Sequence, residues 1–198
     1  MKKSYVKKEK DINNTFLSVQ RGQYLTVQTL RRIRKVWQDA FPGEEIPEMK
    51  NRKFVANEVF FILYGSEKEI LSSGRLRPIN GVSFLGKLYN IHGISNIASA
   101  VESQGYGKAI MHAMYKYLMQ RKQTGIGFCT RDITPFYPKC GFKVVEDLTE
   151  RFIYKNTKGK IIRDEVHIDV LYLSGSDGFM EKLLDHPKEN VLIPCLHW

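Results

Sequence analysis

Two segments of the chain carry apolar residues at helical spacing. Between Thr26 and Phe41 the apolar side chains fall on one face, and Pro42-Gly43 ends the pattern. A second amphipathic run starts at Gly107 and reaches about Arg121. We expect an α-helix in each segment.

Three segments rich in bulky apolar residues predict consecutive strands. They cover Glu58–Tyr64, Ile70–Ile79 and Gly86–Ile97. Polar residues separate the first two, and Asn80-Gly81 follows the second. Because Asn-Gly is a strong hairpin signal, the three segments predict an antiparallel unit that turns at Asn80-Gly81.

The region after the second helix predicts the rest of a sheet. Gly125–Thr130 is a short apolar segment that can pair in parallel with Gly86–Ile97, since the helix between them supplies the crossover. Phe142–Val145 and Val166–Leu173 complete the sheet. In the last strand the expected core positions are Val166, Ile168, Val170 and Tyr172. The fold class is therefore α/β, with a mixed, mostly antiparallel sheet flanked by helices.

Shorter elements are expected elsewhere in the second half of the chain. Thr134 can cap a brief helix that has Pro135 at its first position, and Gly141 suits its C-terminal cap. Residues 174–198 form a C-terminal extension, with a short helix near Met180–Leu184 and an irregular segment after it.

The composition fits one compact domain. The chain has 198 residues, of which 42% are hydrophobic, enough to bury a core. We expect a basic tail at 1–15, a domain at 16–173 and the extension at 174–198 packed on that domain. No apolar run approaches the ~18 residues that span a bilayer, and no apolar block marks a signal peptide. We therefore expect a cytoplasmic protein without a membrane partner. We expect either a monomer or a homodimer.

The net charge of +10 suits an anionic partner such as nucleic acid or a polyphosphate cofactor. Five lysines fall within the first ten residues, however, and such a run is typical of a solvated tail. A nucleic-acid partner is therefore an alternative that the charge does not favour by itself. The three cysteines have no metal-ligand spacing, so we expect reduced thiols and no metal site.

A glycine-rich loop lies where the third strand gives way to the second helix. It reads Glu102-Ser103-Gln104-Gly105-Tyr106-Gly107. Two glycines at such a junction let the main chain approach a ligand with its N–H groups, beside the positive end of the helix. The loop is a candidate phosphate site.

This loop and a second motif resemble those of the GNAT superfamily of acyl-CoA-dependent N-acetyltransferases. The family's loop has Arg or Gln, two residues, Gly, one residue and Gly or Ala; here Glu102 takes the first position. The second family motif, Phe-Tyr-x-x-x-Gly-Phe, is found at Phe136–Phe142. The resemblance covers roughly residues 16–173. A looser similarity, through Asp39-Ala40-Phe41, His92-Gly93 and the insertion after Phe142, points to the aminoglycoside 2'-N-acetyltransferases and nodulation acyltransferases.

The resemblance implies that acetyl-CoA is the cofactor and that main-chain groups hold it. In this fold the strand before the loop splays from its neighbour, commonly through a bulge, and leaves N–H groups for the acetyl carbonyl and the pantetheine arm. The implied cofactor-binding residues are Ile94, Ser95, Asn96 and Ile97 on the strand, and Gln104, Gly105, Tyr106, Gly107, Lys108 and Ala109 at the loop.

Acetyl transfer to an amine also needs a proton for the departing thiolate and an acceptor for the ammonium proton. Tyr137 matches the family tyrosine that protonates the CoA sulfur. His92 lies on the strand that faces both substrates and is the candidate base. We interpret His112 and His167 as structural, while Asp169 and the carboxylate of Trp198 are candidate contacts for a cationic acceptor.

The sequence thus predicts an N-acetyltransferase that acts on a primary amine of a small molecule, with an amino sugar as one option, by direct attack through a tetrahedral intermediate. The alternatives are acyl transfer to a protein or aminoacyl-tRNA amine, and a non-catalytic module that binds acyl-CoA or nucleic acid. The residues leave the acceptor and the acyl chain length open.

Overall fold

Ten strands and three α-helices occupy the residues that the computed structural model describes, 14–43 and 51–195. The strands are β1 (Phe16–Arg21), β2 (Val59–Tyr64), β3 (Ile70–Phe84), β4 (Lys87–Ser99), β5 (Gly125–Cys129), β6 (Lys143–Val145), β7 (Phe152–Lys155), β8 (Ile161–Ile162), β9 (Asp169–Leu173) and β10 (Val191–Ile193). The helices are α1 (Val27–Ala40), α2 (Tyr106–Arg121) and α3 (Phe179–Asp185). Most of the predicted basic tail and Trp198 lie outside the described residues.

One mixed sheet runs through the described part of the chain. Its order is β6-β9-β5-β4-β3-β10-β7-β8, and β2 adds to the first half of β3, with β1 on its outer side. Only β4 with β5 and β10 with β7 pair in parallel among these strands. The predicted fold class is confirmed, including the parallel pair that the helix α2 connects.

Helices cover both faces of the sheet. Thr26 is the N-cap of α1, since its hydroxyl accepts the N–H of Thr29 at 3.0 Å. The buried residues of α1, Leu30, Ile33 and Trp37, share a cluster with Phe60 and Ile62 of β2. Alternation along β2 turns Phe61 to the opposite face, where it joins the cluster of α2. The sheet is therefore a middle layer between α1 and α2.

The predicted turn at Asn80-Gly81 is wrong. Strand β3 continues through these residues with a β-bulge at Gly81, whose φ is +82°. The chain reverses instead at Leu85-Gly86, where both φ values are positive. The longer hairpin buries Val82 and Phe84, which an earlier turn would leave out of the sheet.

Two expectations for the C-terminal half are also corrected. Strand β9 begins only at Asp169, so Val170 and Tyr172 are buried as predicted whereas Val166 and Ile168 are exposed. The segment after α3 is not irregular, because β10 pairs with β7 and touches β3 at Ser83. The helix α3 itself lies where the sequence predicts it.

No helix in the ranges 14–43 and 51–195 is both long and apolar enough to traverse a bilayer.

Candidate active site

The two parallel strands at the centre of the sheet separate soon after they meet. Strands β4 and β5 pair at His92 with Gly125 and at Gly93 with Ile126, and no further pairing is found in the described residues. The next residues of β4, Ile94–Ile97, line a cavity together with Phe128 of β5. A sheet that opens in this way leaves main-chain N–H and C=O groups available for a ligand.

A β-bulge interrupts the pairing of β4 with β3 at this cavity. Ser95 pairs with Arg75, but the next pair joins Ala98 to Ser73, so Asn96 and Ile97 together face Gly74. Asn96 has φ +54°, a left-handed conformation that asparagine tolerates better than most residues. The bulge lies within the segment where the resemblance implied it.

A buried arginine holds the bulge in place. Arg75 donates from Nε to Asn96 Oδ1 at 2.9 Å and to Ser95 Oγ at 3.2 Å, and from Nη1 to Glu58 Oε2 at 2.8 Å. Both charged side chains are almost fully buried, and the guanidinium lies 5.1 Å from the centre of the Trp37 ring. The sequence analysis did not identify this ion pair, because both residues stand close to other polar residues in the chain and only the pairing of β2 with β3 brings them together.

The glycine loop ends in the exposed N-terminus of α2. Gly105 is the N-cap residue with φ +77°, and no side chain caps the helix. The N–H groups of the first helical residues therefore have no partner within the helix. An added Cβ on Gly105 would meet nothing within 4 Å, and one on Gly107 would come no closer than 3.5 Å to Ser99. The main chain here is accessible from outside.

Two cavities meet in front of the opened strands. The loop cavity, about 920 Å³, is lined by the residues from Ile97 to Lys108 and by the turn that carries Phe136 and Tyr137. The strand cavity, about 760 Å³, is lined by Ile94–Ile97, by Phe128 and Tyr137, and by residues 162–167. Tyr137 belongs to both linings, so one phenol lies at the junction of the two spaces.

Tyr137 occupies the turn between two short 3-10 helices, Thr134–Phe136 and Pro138–Cys140. Its side chain is 8% exposed, and burial, with smaller contributions from the thiols of Cys129 and Cys140, raises its pKa well above the ordinary value. The phenol therefore stays protonated near neutral pH and keeps a proton that it can donate.

Asp169 forms hydrogen bonds with residues on both sides of this turn. Its carboxylate accepts the Thr134 hydroxyl at 2.7 Å, the Arg131 guanidinium at 3.0 Å and the Asp147 N–H at 3.1 Å. Burial alone would raise the pKa of Asp169, but these three hydrogen bonds outweigh it and lower the pKa.

The structure bears on two predictions at this turn. Asp169 is fully buried and lines neither cavity, so the geometry does not support it as a contact for the acceptor. Thr134 is not an N-cap, because its hydroxyl is engaged by Asp169 and by the Thr130 carbonyl.

His92, the predicted base, lies outside both cavities. It lies on the paired part of β4, where its main-chain N–H donates to the Thr124 carbonyl at 2.9 Å. Burial, reinforced by the cation of Arg121, lowers the pKa of His92. Arg121 is the last residue of α2, and 15 residues of helix separate it by roughly 22 Å from the glycine loop. The geometry does not support His92 as the base, because β4 opens only after this position.

Another histidine, which the sequence analysis interpreted as structural, lines the strand cavity. His167 lies there beside Asp164, with 2.7 Å between His167 Nδ1 and Asp164 Oδ2. The Asp-x-x-His spacing is visible in the sequence and allows the two side chains to meet. Only the fold places the pair in the same cavity as the bulge of β4.

The predicted cofactor-binding residues divide between the cavities. Ile94, Ser95 and Asn96 line the strand cavity, Ile97 lines both, and Gln104, Gly105, Tyr106, Gly107 and Lys108 line the loop cavity. Ala109 lines neither, and its N–H donates to the Gly105 carbonyl at 3.0 Å. Among the described residues, no three His, Cys, Asp or Glu side chains are grouped to hold a metal ion.

Comparisons with known proteins support the fold. No family model and no curated protein matches the chain. Solved structures do match it, among them the GNAT family N-acetyltransferase YhbS of Escherichia coli in complex with CoA. That match has a TM-score of 0.63 at 10% identity and covers 92% of this chain and 90% of the other.

Two more solved structures match the chain. An acyl-CoA N-acyltransferase from Pseudomonas aeruginosa has a TM-score of 0.55 at 13% identity, over 81% of this chain and 99% of its own. A GNAT family acetyltransferase from Staphylococcus aureus has a TM-score of 0.54 at 7% identity, over 80% and 99% of the two chains. Together with the opened parallel strands and the uncapped glycine loop, these matches show that this chain has the fold of the GNAT superfamily, as its two motifs predicted.

Proposed function

We propose that this chain is an acyl-CoA-dependent N-acetyltransferase that transfers an acetyl group from acetyl-CoA to the primary amine of a small molecule. The observation that carries the proposal is the meeting of two cavities at Tyr137. One is walled by the N-terminus of α2 and the other by the opened edge of β4. Two substrates entering from opposite sides would meet beside a protonated phenol.

The loop cavity suits the diphosphate of the cofactor. The N–H groups at the start of α2 point out of an uncapped helix end, and neither Gly105 nor Gly107 carries a side chain that obstructs them. Lys108 and Lys139 line the same cavity, but so do Asp39, Glu102 and Asp132. Because the side-chain charges nearly cancel, binding depends mainly on the main chain and the helix dipole.

The chain's own groups supply the remaining chemistry. Bound acetyl-CoA provides a thioester carbonyl as the electrophile. Main-chain N–H groups at the β4 bulge, fixed by Arg75, are available to the carbonyl oxygen as negative charge develops there. Tyr137 gives its hydroxyl proton to the departing sulfur.

The strand cavity suits a small amine. Its volume of about 760 Å³ is in the range of small-molecule sites. Phe128, Ile162 and Leu171 provide apolar walls, while Asp164 and Glu165 provide negative charge for an ammonium group. An amino sugar combines an apolar ring face with such an amine.

The experiment is a panel of amines, including amino sugars, polyamines, amino acids and a peptide, assayed for thiol release from acetyl-CoA. We expect release that requires both the protein and one class of amine, and that is greatly reduced in Tyr137→Phe. Tight binding of CoA with no turnover on any amine would contradict the proposal and favour the alternative of an acyl-CoA-binding module.

A further inference from the structure

The segment that closes the strand cavity contains a paired aspartate and histidine. Residues 162–167 all line this cavity, opposite the bulge of β4 and beside Tyr137. Within the segment, Asp164 Oδ2 and His167 Nδ1 are 2.7 Å apart. The histidine side chain is 39% exposed and the aspartate side chain 11%.

The aspartate is fixed and ionised. Its Oδ1 accepts the main-chain N–H groups of Val166 at 2.9 Å and His167 at 3.1 Å, while Oδ2 meets the imidazole. Burial opposes ionisation, but the hydrogen bonds from His167 and Val166 outweigh it and lower the pKa of Asp164 to about 2. The carboxylate is therefore an acceptor only at neutral pH.

This pairing decides the tautomer of His167. Because an ionised carboxylate cannot donate, Nδ1 must carry the proton in the 2.7 Å contact. In the neutral imidazole the lone pair then lies on Nε2, the atom that can accept a proton. The carboxylate also stabilises the imidazolium that forms, which favours proton transfer to the ring.

We infer that His167 is the general base of the proposed transferase and that Asp164 is its positioning residue. The inference rests on the proposed function and deepens it. His167 Nε2 takes one proton from the acceptor ammonium and passes it to solvent. The neutral amine then forms the C–N bond, and the C–S bond breaks in the following step. Tyr137 protonates the sulfur, and a second amine proton restores the phenol.

Other groups around the cavity affect this proton transfer. Among residues 14–43 and 51–195, the titratable and charged ones that line it with His167 are Tyr137, Arg163, Asp164 and Glu165, and the lining residues from β4 are uncharged. Two carboxylates against one guanidinium favour a cationic acceptor. An imidazole accepts a proton only in its neutral form, so the rate should fall at acidic pH.

The first test is the dependence of kcat on pH, which reports groups in the substrate complex. We expect an acidic limb in the unmodified enzyme. His167→Gln should lower kcat by about 10²- to 10⁴-fold and remove the limb. Asp164→Asn should move the limb to lower pH, because the imidazolium loses its anionic neighbour. His92→Gln and His112→Gln are matched controls that should keep both rate and limb, since neither histidine lines the cavity.

The second test needs no turnover. NMR of protein with ¹⁵N-labelled histidine should show the neutral ring of His167 with its proton on Nδ1, and a lower titration midpoint in Asp164→Asn. An unchanged limb in His167→Gln, or a proton on Nε2, overturns the inference while thiol release continues. Absence of thiol release from the unmodified enzyme with every amine overturns the proposed function itself, and the inference with it.

Discussion

Replacing Gly105 by alanine separates what the glycine loop does for the fold from what it does for the cofactor. Gly105 has φ +77°, and an added Cβ would meet no protein atom within 4 Å. The folded state would therefore be disturbed only by the left-handed conformation, at about 1–2 kcal/mol for alanine. For a protein of this size that loss lowers Tm by about 2–8 °C.

Binding of CoA should suffer a separate loss. The open space in front of Gly105 is part of the loop cavity, where a diphosphate would approach the N–H groups of α2. A methyl group there would displace the phosphate from at least one charge-assisted hydrogen bond, which is worth about 1.5–3 kcal/mol. The Kd for CoA should rise by about 10- to 100-fold.

Gly86 provides the matched control. It is also exposed, has φ +73°, and would bring an added Cβ within 4 Å of nothing, but it lies in the β3–β4 turn and lines neither cavity. Gly86→Ala should lose similar thermal stability and keep its affinity for CoA. Thermal unfolding and calorimetric titration with CoA measure both effects. Equal CoA affinity in the two variants would refute the assignment of the phosphate site to the loop.

Four further substitutions test individual contacts. Tyr137→Phe should lower kcat by about 10²- to 10⁴-fold with a twofold or smaller change in CoA affinity; an unchanged kcat would remove the phenol from the reaction. Arg75→Met should reduce the free energy of unfolding in urea by about 3–5 kcal/mol, because Glu58 stays buried without its main partner; a change under about 1 kcal/mol would contradict this. Asp169→Asn should destabilise the protein at neutral pH. The folded-state pKa of Asp169 is lowered, so the ionised carboxylate stabilises the protein above its unfolded-state pKa, and this stabilisation is lost as the pH falls through the folded-state pKa. The free energies of unfolding of the two proteins should therefore converge in acid. A difference that stays constant with pH would contradict a role for the charge of Asp169. Glu102→Gln should tighten CoA binding several-fold at low salt, and a weaker effect at high salt would agree with removal of a repulsive charge.

Local patterns predicted most of the elements of this protein. The periodicity of Thr26–Phe41 and Gly107–Arg121 identified α1 and α2, because a helix buries one face and repeats every 3.6 residues. The glycines of the loop and the Phe136–Phe142 motif were found in the same way, since their geometry depends on residues close in sequence. Asn80-Gly81 suits a β-bulge as well as a hairpin turn. The pairing of β3 with β4 on both sides of this dipeptide decided for the bulge.

The roles of the charged and titratable residues were decided by the tertiary structure. Whether His92 or His167 lies at the cavity depends on where β4 separates from β5 and on how residues 162–167 cross the opening, and neither is encoded locally. The pairing of Arg75 with Glu58 joins positions 17 residues apart. A carboxylate, a guanidinium or an imidazole takes its role from its neighbours and its burial, and those are set by contacts between distant parts of the chain. The sequence by itself therefore determined the helices, most strands and the glycine loop, while the packed fold decided which side chains line the cavities.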